Sequence, residues 1–130
     1  MKLRIKGNSI RLRLRQSDVD RLAMNGAVEE STIFGSGRGQ RLDYEIRVAG
    51  DDTVVRASFD GRRIVVRVPD EMLTRWADSD QIGIYAMQPT DQGELAVVIE
   101  KDFVCIDGDS GESQEDAFPN PALAAGTRRC

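Results

Sequence analysis

The sequence contains no histidine and only two cysteines, and 5% of its residues are aromatic. Without histidine, Ser-His-Asp and Cys-His nucleophilic catalysis are excluded, as are the usual imidazole metal sites. The cysteines, Cys105 and Cys130, give neither a disulfide framework nor metal-ligand spacing, and we expect Cys105 to be a small buried hydrophobe. Hydrolytic chemistry is therefore restricted to carboxylates, or to Mg²⁺ or Mn²⁺ held by carboxylates.

Long apolar runs are also missing. No stretch is long enough to span a membrane, and the opening MKLRIKGNS has no apolar signal region, so we expect a cytoplasmic protein without a membrane partner. The 130 residues are 40% hydrophobic and 31% charged, which is ordinary for one soluble domain.

Charge is unevenly distributed along the chain. Residues 1–50 hold ten Lys/Arg and six Asp/Glu, a net charge of +4, whereas residues 51–101 hold six and ten, a net charge of −4. Residues 102–130 hold two and six, which gives the remaining −4. Such asymmetry bears on partners rather than on fold.

The pattern of the chain repeats after 54 residues. The repeat predicts two copies of one supersecondary unit that cannot bury its apolar face alone. Nine positions carry it: Ile10, Leu12, Arg13, Leu14, Val19, Arg21, Leu22, Ala23 and Val28 correspond to Ile64, Val66, Arg67, Val68, Leu73, Arg75, Trp76, Ala77 and Ile82. In this alignment the loop at Gly35 corresponds to a loop at Pro89.

The first fifteen residues predict a β-hairpin. Apolar and cationic residues alternate on both sides of the turn signal Gly7-Asn8, so Ile5 should face Ile10 and Arg4 should face Arg11. In that register Leu3 faces Leu12 and Lys2 faces Arg13, which leaves one face wholly apolar and the other wholly cationic.

Each half reads as ββαββ. In the first helix Ser17 is the expected cap, Asp20 completes a capping box, and Gly26 ends the helix. In the second helix Pro69 and Asp70 open the first turn, and Leu73 and Trp76 face inward. Strands are expected near residues 28–34, 42–48, 53–59, 64–68, 82–87 and 94–101.

This pattern predicts an α+β fold in which the two ββαββ units form a pseudo-twofold antiparallel β-barrel or sandwich with two short helices. The duplicated domain should span residues 1–104, as repeats 1–50 and 51–104. Residues 105–130 should form an acidic C-terminal tail whose removal from residue 107 onwards leaves a folded protein, with the docking of Phe118 as the risk.

The hairpin's cationic face is the main candidate site. Like charges facing each other in a sheet destabilise it unless an anion or neighbouring acids compensate, and Asp43, Glu45, Glu94 and Glu100 are available as such acids. The alternative is a solvated sheet face with no ligand. The candidate anion-binding residues are Lys2, Arg4, Lys6, Arg11, Arg13 and Arg15.

A second candidate is a charged barrel interior. Glu45 with Arg47, and Glu100 with Lys101, could line such an interior and suit a polyphosphate with Mg²⁺. External ion pairs between strands are the structural alternative for the same residues.

Three resemblances bear on these candidates. The opening KLRIKGNSIRLRL and the closing IEKDFVC with DAFPNP resemble a family of small uncharacterised bacterial proteins, which implies no function. Residues 1–30, with Lys6-Gly7-Asn8-Ser9, resemble the swapped-hairpin DNA-binding domain of MazE-type antitoxins, although Lys6 stands where that family has tryptophan. Triphosphate tunnel enzymes are similar only as duplicated charged barrels, and their Glu-x-Glu-x-Lys strand is absent.

From the sequence we expect a non-enzymatic binding or interaction module without a cofactor. Its partner would be an anionic ligand or an acidic protein, and it would act as a monomer or a homodimer. The alternatives are a metal-dependent phosphohydrolase and an antitoxin-like DNA-binding regulator.

Overall fold

A computed structural model describes residues 1–103 and 116–119 of the chain. It contains eight strands and two helices, in the predicted order ββαββ-ββαββ. The elements are β1 (Lys2–Ile5), β2 (Ser9–Leu14), α1 (Gln16–Asn25), β3 (Ala27–Ile33), β4 (Arg41–Ala49), β5 (Arg56–Phe59), β6 (Arg63–Pro69), α2 (Asp70–Ala77), β7 (Gly83–Thr90) and β8 (Gly93–Lys101).

The strands form two four-stranded sheets, and each half of the chain contributes two strands to each. Sheet A has the order β1-β2-β8-β7, and sheet B has the order β3-β4-β6-β5. The outer pairs of each sheet are antiparallel, but the central pairs, β2 with β8 and β4 with β6, are parallel. The predicted antiparallel architecture is therefore wrong at the centre of both sheets, where strands from opposite halves meet.

The strands do not close into a barrel within the described residues, which corrects the barrel prediction and leaves an α+β fold of two open sheets. One apolar cluster is shared by both sheets and both helices. In the described part of the chain, neither α1, with ten residues, nor α2, with eight, is long enough to cross a bilayer.

The register predicted for the first hairpin is confirmed. Ile5 faces Ile10, Arg4 faces Arg11, and Lys2 faces Arg13 across β1 and β2. The backbones of Lys6 and Ser9 exchange hydrogen bonds at the turn, and Gly7 has a φ of 55°. A positive φ at that position is available to glycine without the penalty that a Cβ atom would bring.

The start of α1 differs from the prediction. Arg15 is the N-cap, and the carboxylate of Asp18, not that of Asp20, accepts the Arg15 backbone N–H at 2.9 Å. Ser17 is not the cap, because the helix begins at Gln16, and the Ser17 hydroxyl donates to Asp116 of the C-terminal segment. The helix ends as predicted, with Gly26 at a φ of 77°.

The second half departs from the strict repeat after α2. Only residue 26 separates α1 from β3, whereas residues 78–82 separate α2 from β7. As a result Val28 faces Ile46 in sheet B, and the position that faces Ile99 in sheet A is Ile84. The alignment that made Val28 correspond to Ile82 is therefore wrong by two residues, since Ile84 takes the place that Val28 has in sheet B. Pro89 lies within β7 rather than in a loop.

The core contains Trp76 at its centre. Its side chain is fully buried, as predicted, and the indole Nε1–H donates to the backbone oxygen of Ile82 at 3.0 Å. The other large apolar side chains with less than 2% exposure are Leu12, Leu14, Leu22, Ile46, Ile99, Val66, Val68 and Val97. They come from both halves, so neither half could bury this cluster alone.

Part of the C-terminal segment docks on the body. Phe118 donates its backbone N–H to Asp102 at 2.8 Å and packs edge-to-face on Phe103 with ring centroids 6.1 Å apart. Ala117 is buried, and its carbonyl accepts a hydrogen bond from the side chain of Gln16. Of the tail predicted over residues 105–130, these four residues, 116–119, belong to the packed structure, and Cys105 and Cys130 lie outside the described residues.

Replacing Trp76 by alanine should lower the free energy of unfolding by about 3–5 kcal/mol, the usual effect of truncating a buried aromatic. Urea melts measure this, with Trp76→Phe as the control. Phenylalanine keeps a buried six-membered ring and loses the bond to Ile82 and part of the indole volume, so its effect should be smaller. An alanine variant within about 1 kcal/mol of wild type would contradict the burial of Trp76.

Truncating the chain after residue 115 should destabilise it, because the contacts of Asp116, Ala117 and Phe118 with the body are lost. A chain ending at Pro119 retains these contacts and is the control. Thermal melts compare the two, and equal melting temperatures would show that residues 116–119 add nothing to stability. This reverses the expectation that removal from residue 107 onwards is harmless.

Candidate functional site

Four cationic side chains lie on the outer surface of sheet A. Because side chains alternate along a strand, Lys2 and Arg4 of β1 share one face with Arg11 and Arg13 of β2. We call these four residues the cationic face. The parallel pairing of β2 with β8 adds Glu100 to the same surface, directly beside Arg13.

Glu100 neutralises part of the cationic face. Its Oε1 lies 3.2 Å from Nη1 of Arg11 and 3.7 Å from Nε of Arg13. The hydroxyl of Tyr85, from β7, is 3.4 Å from Oε2, and burial together with this carboxylate raises the pKa of Tyr85. Glu100 is one of the four acids that the sequence offered for this role.

The remaining candidate cations are arranged differently. Lys2 Nζ lies 3.3 Å from Oδ2 of Asp102, an acid that is not among the four predicted to compensate this face. Arg4 is exposed and has no ion pair or side-chain hydrogen bond among the described residues. Lys6 is exposed in the turn, and Arg15 lies at the start of α1, beyond the end of β2. The structure thus brings together Lys2, Arg4, Arg11 and Arg13, and places Lys6 and Arg15 at the two ends of the hairpin.

A second charged cluster lies on the outer surface of sheet B. Asp43 and Glu45, on β4, are only 1% and 3% exposed although they face outward. Arginines from the neighbouring strand β6 and its turn, and from β4 itself, cover them. We call this group, which consists of Asp43, Glu45, Glu29, Ser31, Arg41, Arg47, Arg62 and Arg63, the sheet B ion cluster.

Arg63 is central to the sheet B ion cluster. Its Nη1 donates to Glu45 at 2.7 Å and to Glu29 at 2.8 Å, and its Nη2 lies 3.6 Å from Asp43. Both oxygens of Glu45 are occupied, since Arg47 Nε donates to Oε2 at 2.6 Å. Carboxylates satisfied in this way stabilise the arrangement of the strands and are not available as ligands or bases.

Hydrogen bonds lower the pKa of Asp43 below its ordinary value of 3.8. The hydroxyl of Ser31 donates to Oδ1 at 2.5 Å, and Nε of Arg41 donates to the same oxygen at 2.9 Å. Both interactions favour the ionised form. Asp43 is therefore a carboxylate throughout the neutral range.

The residues proposed for a charged barrel interior do not converge. Glu45 and Arg47 form an ion pair on the outside of sheet B, and Glu100 lies on the outside of sheet A. Of these four residues, Lys101 alone points to the core side. The expectation of a lumen lined by these side chains is wrong, because the sheets stay open and alternate residues of β8 face opposite ways.

Lys101 is a buried cation whose contacts hold parts of the fold together. Its Nζ lies 5.7 Å from the ring centre of Trp76 and 5.4 Å from that of Phe118, and it donates to the carbonyl of Ser79 at 2.6 Å. Burial lowers the pKa of Lys101. Its contacts join β8, the end of α2 and the C-terminal segment.

One row of cations was not predicted from the sequence. Arg56, Arg67 and Arg47 face one another across β5, β6 and β4 on the outside of sheet B. Arg47 binds Glu45, but Arg56 and Arg67 have no ion pair among the described residues. The 54-residue offset could have revealed this row, since it aligns Arg56 with Lys2 and Arg67 with Arg13.

The ionised form of Asp43 should make stability depend on pH. Because the folded pKa is lowered, the stabilisation is complete above the unfolded value of 3.8 and is lost as pH falls through the folded value. Asp43→Asn should therefore be less stable than wild type at neutral pH, and the difference should narrow in acid. Urea melts across this pH range measure it.

Glu94→Gln is the matched control for Asp43→Asn, because the Glu94 side chain is exposed and has no ion pair among the described residues. The free energy of unfolding of Glu94→Gln should depend on pH in the same way as that of wild type. A constant difference between Asp43→Asn and wild type at all pH values would contradict the assigned ionisation.

Comparison with known proteins places the chain in a family without giving it an activity. No curated protein and no solved structure matches the chain. A protein family matches residues 1–122, a span that includes both sheets and the docked segment 116–119. This agrees with the family resemblance drawn from the opening and closing motifs, and the chain belongs to DUF7009, a family of unknown function.

Proposed function

We propose that the protein is a non-enzymatic binding module and that its cationic face binds an anionic ligand or an acidic segment of a partner protein. The observation that carries this proposal is the position of Arg4. It lies directly opposite Arg11 and has no carboxylate partner among the described residues. Two like charges held opposite each other on a sheet destabilise it, and a bound anion would relieve that cost.

The charge balance of the cationic face supports the proposal. The four cations carry four positive charges, and the two carboxylates of Glu100 and Asp102 compensate two of them. The uncompensated charge is spread over an open sheet surface instead of converging in a pocket. That arrangement suits an extended anion that makes several contacts, and binding of this type weakens as salt is added.

We also propose that the body arose by duplication of one ββαββ unit. Sheet A has the order β1-β2-β8-β7, and sheet B, read from its β5 edge, has the order β5-β6-β4-β3. Strands at the same place in the two halves therefore occupy the same place in the two sheets. Both first hairpins have the same register, since Ile5 faces Ile10 and Phe59 faces Ile64. A crystal structure whose halves failed to superpose, with Leu22 and Trp76 in different places, would contradict the duplication.

Binding to heparin and to inorganic polyphosphate should depend on Arg4 and Glu100 in opposite directions. Arg4→Gln removes an uncompensated cation and should elute from heparin at lower salt than wild type. Glu100→Gln frees Arg11 and Arg13 from their carboxylate and should elute at higher salt. Arg21→Gln, at an exposed position on α1, is the control and should elute with wild type.

Each variant is checked by thermal melting, so that a loss of binding is not confused with unfolding. Wild type that does not bind heparin or polyphosphate at low salt would contradict the proposal, as would equal effects of Arg4→Gln and Arg21→Gln. A duplex DNA probe in the same assay tests the antitoxin-like alternative, which predicts tighter binding to particular sequences than to heparin.

A further inference from the structure

A cleft of about 640 Å³ opens between the edge strands of the two sheets, β5 of sheet B and β7 of sheet A. This volume falls within the usual range for small-molecule sites. Most of the described residues that line the cleft are apolar, and Arg56 is the only charged one among them. Those residues are Val54, Val55, Arg56, Met72, Tyr85, Ala86, Met87, Gln88 and Pro89.

At one end of the cleft, the backbone N–H and C=O groups of Ala57 already have hydrogen-bond partners. Gln88 reaches from β7 to β5, where its Oε1 accepts the N–H of Ala57 at 2.7 Å and its Nε2 donates to the carbonyl of Ala57 at 2.9 Å. The side-chain amide thereby takes the place of a neighbouring strand. This bridge joins the two sheets at that end of the cleft.

Large apolar side chains remain exposed along the cleft. Tyr85 is 62% exposed, Met87 is 59% exposed and Val54 is 50% exposed. Apolar surface that stays accessible around a concavity marks binding sites more often than scattered exposed side chains do.

The charge at the cleft is positive and uncompensated. Arg56 lies directly opposite Arg67, and neither guanidinium has an ion pair or hydrogen bond among the described residues. The equivalent pair in sheet A, Lys2 and Arg13, has Asp102 and Glu100 as partners. On sheet B the strand next to Arg67 presents Arg47 instead of an acid.

We propose that this cleft binds a small amphipathic carboxylate, a ligand with one carboxylate on a short apolar body. The carboxylate pairs with Arg56 and relieves its repulsion from Arg67. The apolar body lies against Val54, Met72 and Met87. This site adjoins the cationic face through Tyr85 and Glu100, but its anion contact is Arg56 and not Arg4, so each proposal can fail without the other.

The test compares three probes on the full chain by NMR titration of backbone amides. Octanoate carries both parts of the proposed ligand, acetate carries only the anion, and octan-1-ol carries only the apolar body. Octanoate should bind most tightly and should shift the amides of residues 54–56 and 85–88. Acetate and octan-1-ol should each bind roughly tenfold more weakly or worse, since each lacks one part of the interaction.

Arg56→Gln should reduce octanoate affinity by about tenfold, the usual effect of losing one charge-assisted contact, and should leave octan-1-ol unchanged. Arg75→Gln, at an exposed arginine of α2, is the matched control and should have no effect on either probe. The substitution at Arg56 breaks a like-charge pair, so the variant should fold at least as well as wild type.

A second apolar groove, of about 400 Å³, lies at the hairpin turns, where its described lining includes Ile5, Leu42, Phe59 and Leu95 and contains no charged residue. Shifts confined to that groove, equal affinity for octanoate and octan-1-ol, or an unaltered affinity in Arg56→Gln would each overturn the proposal. Loss of polyphosphate binding in Arg4→Gln has no bearing on this result.

Discussion

The fold depends on two parallel strand pairs that join the halves of the chain. β2 pairs with β8 in sheet A, and β4 pairs with β6 in sheet B, so each sheet has at its centre one strand from each half. A parallel pair needs a long connection, and in sheet A that connection includes the other sheet. Neither sheet can therefore be completed before both halves are present, and the shared core around Trp76 follows from that.

The same pairing determines where charges meet. In sheet A it sets Glu100 beside Arg13, so the cationic hairpin acquires an acid from a strand distant in the sequence. In sheet B it sets Arg63 beside Asp43 and Arg67 beside Arg47. The contacts with acids stabilise the sheets, whereas the pairing of Arg67 with Arg47 leaves a row of like charges. The two sheets thus carry different outer surfaces. In sheet A the cations are largely compensated, whereas in sheet B Arg56 and Arg67 have no acidic partner among the described residues, and Arg56 borders the cleft.

Local features were predictable from the sequence, and long-range partners were not. The turn at Gly7 and the alternation on both sides of it determine the register of β1 and β2, and both act within fifteen residues. The inward face of α2 follows from helical spacing in the same way. By contrast, nothing local distinguishes Glu100 from Asp43 as the partner of Arg11. The partner of Arg11 depends on which strand lies beside β2. The position of that strand is determined by burial of the whole core.

Native-state hydrogen exchange tests most directly the claim that the halves form one interlocked unit. The amides of β2 and β8 in sheet A, and of β4 and β6 in sheet B, should show the same highest protection and the same dependence on denaturant, since all of them exchange only through global unfolding. If the central strands of one sheet opened at a distinctly lower free energy than those of the other, the sheets would be separable, and the two halves would not form one interlocked unit.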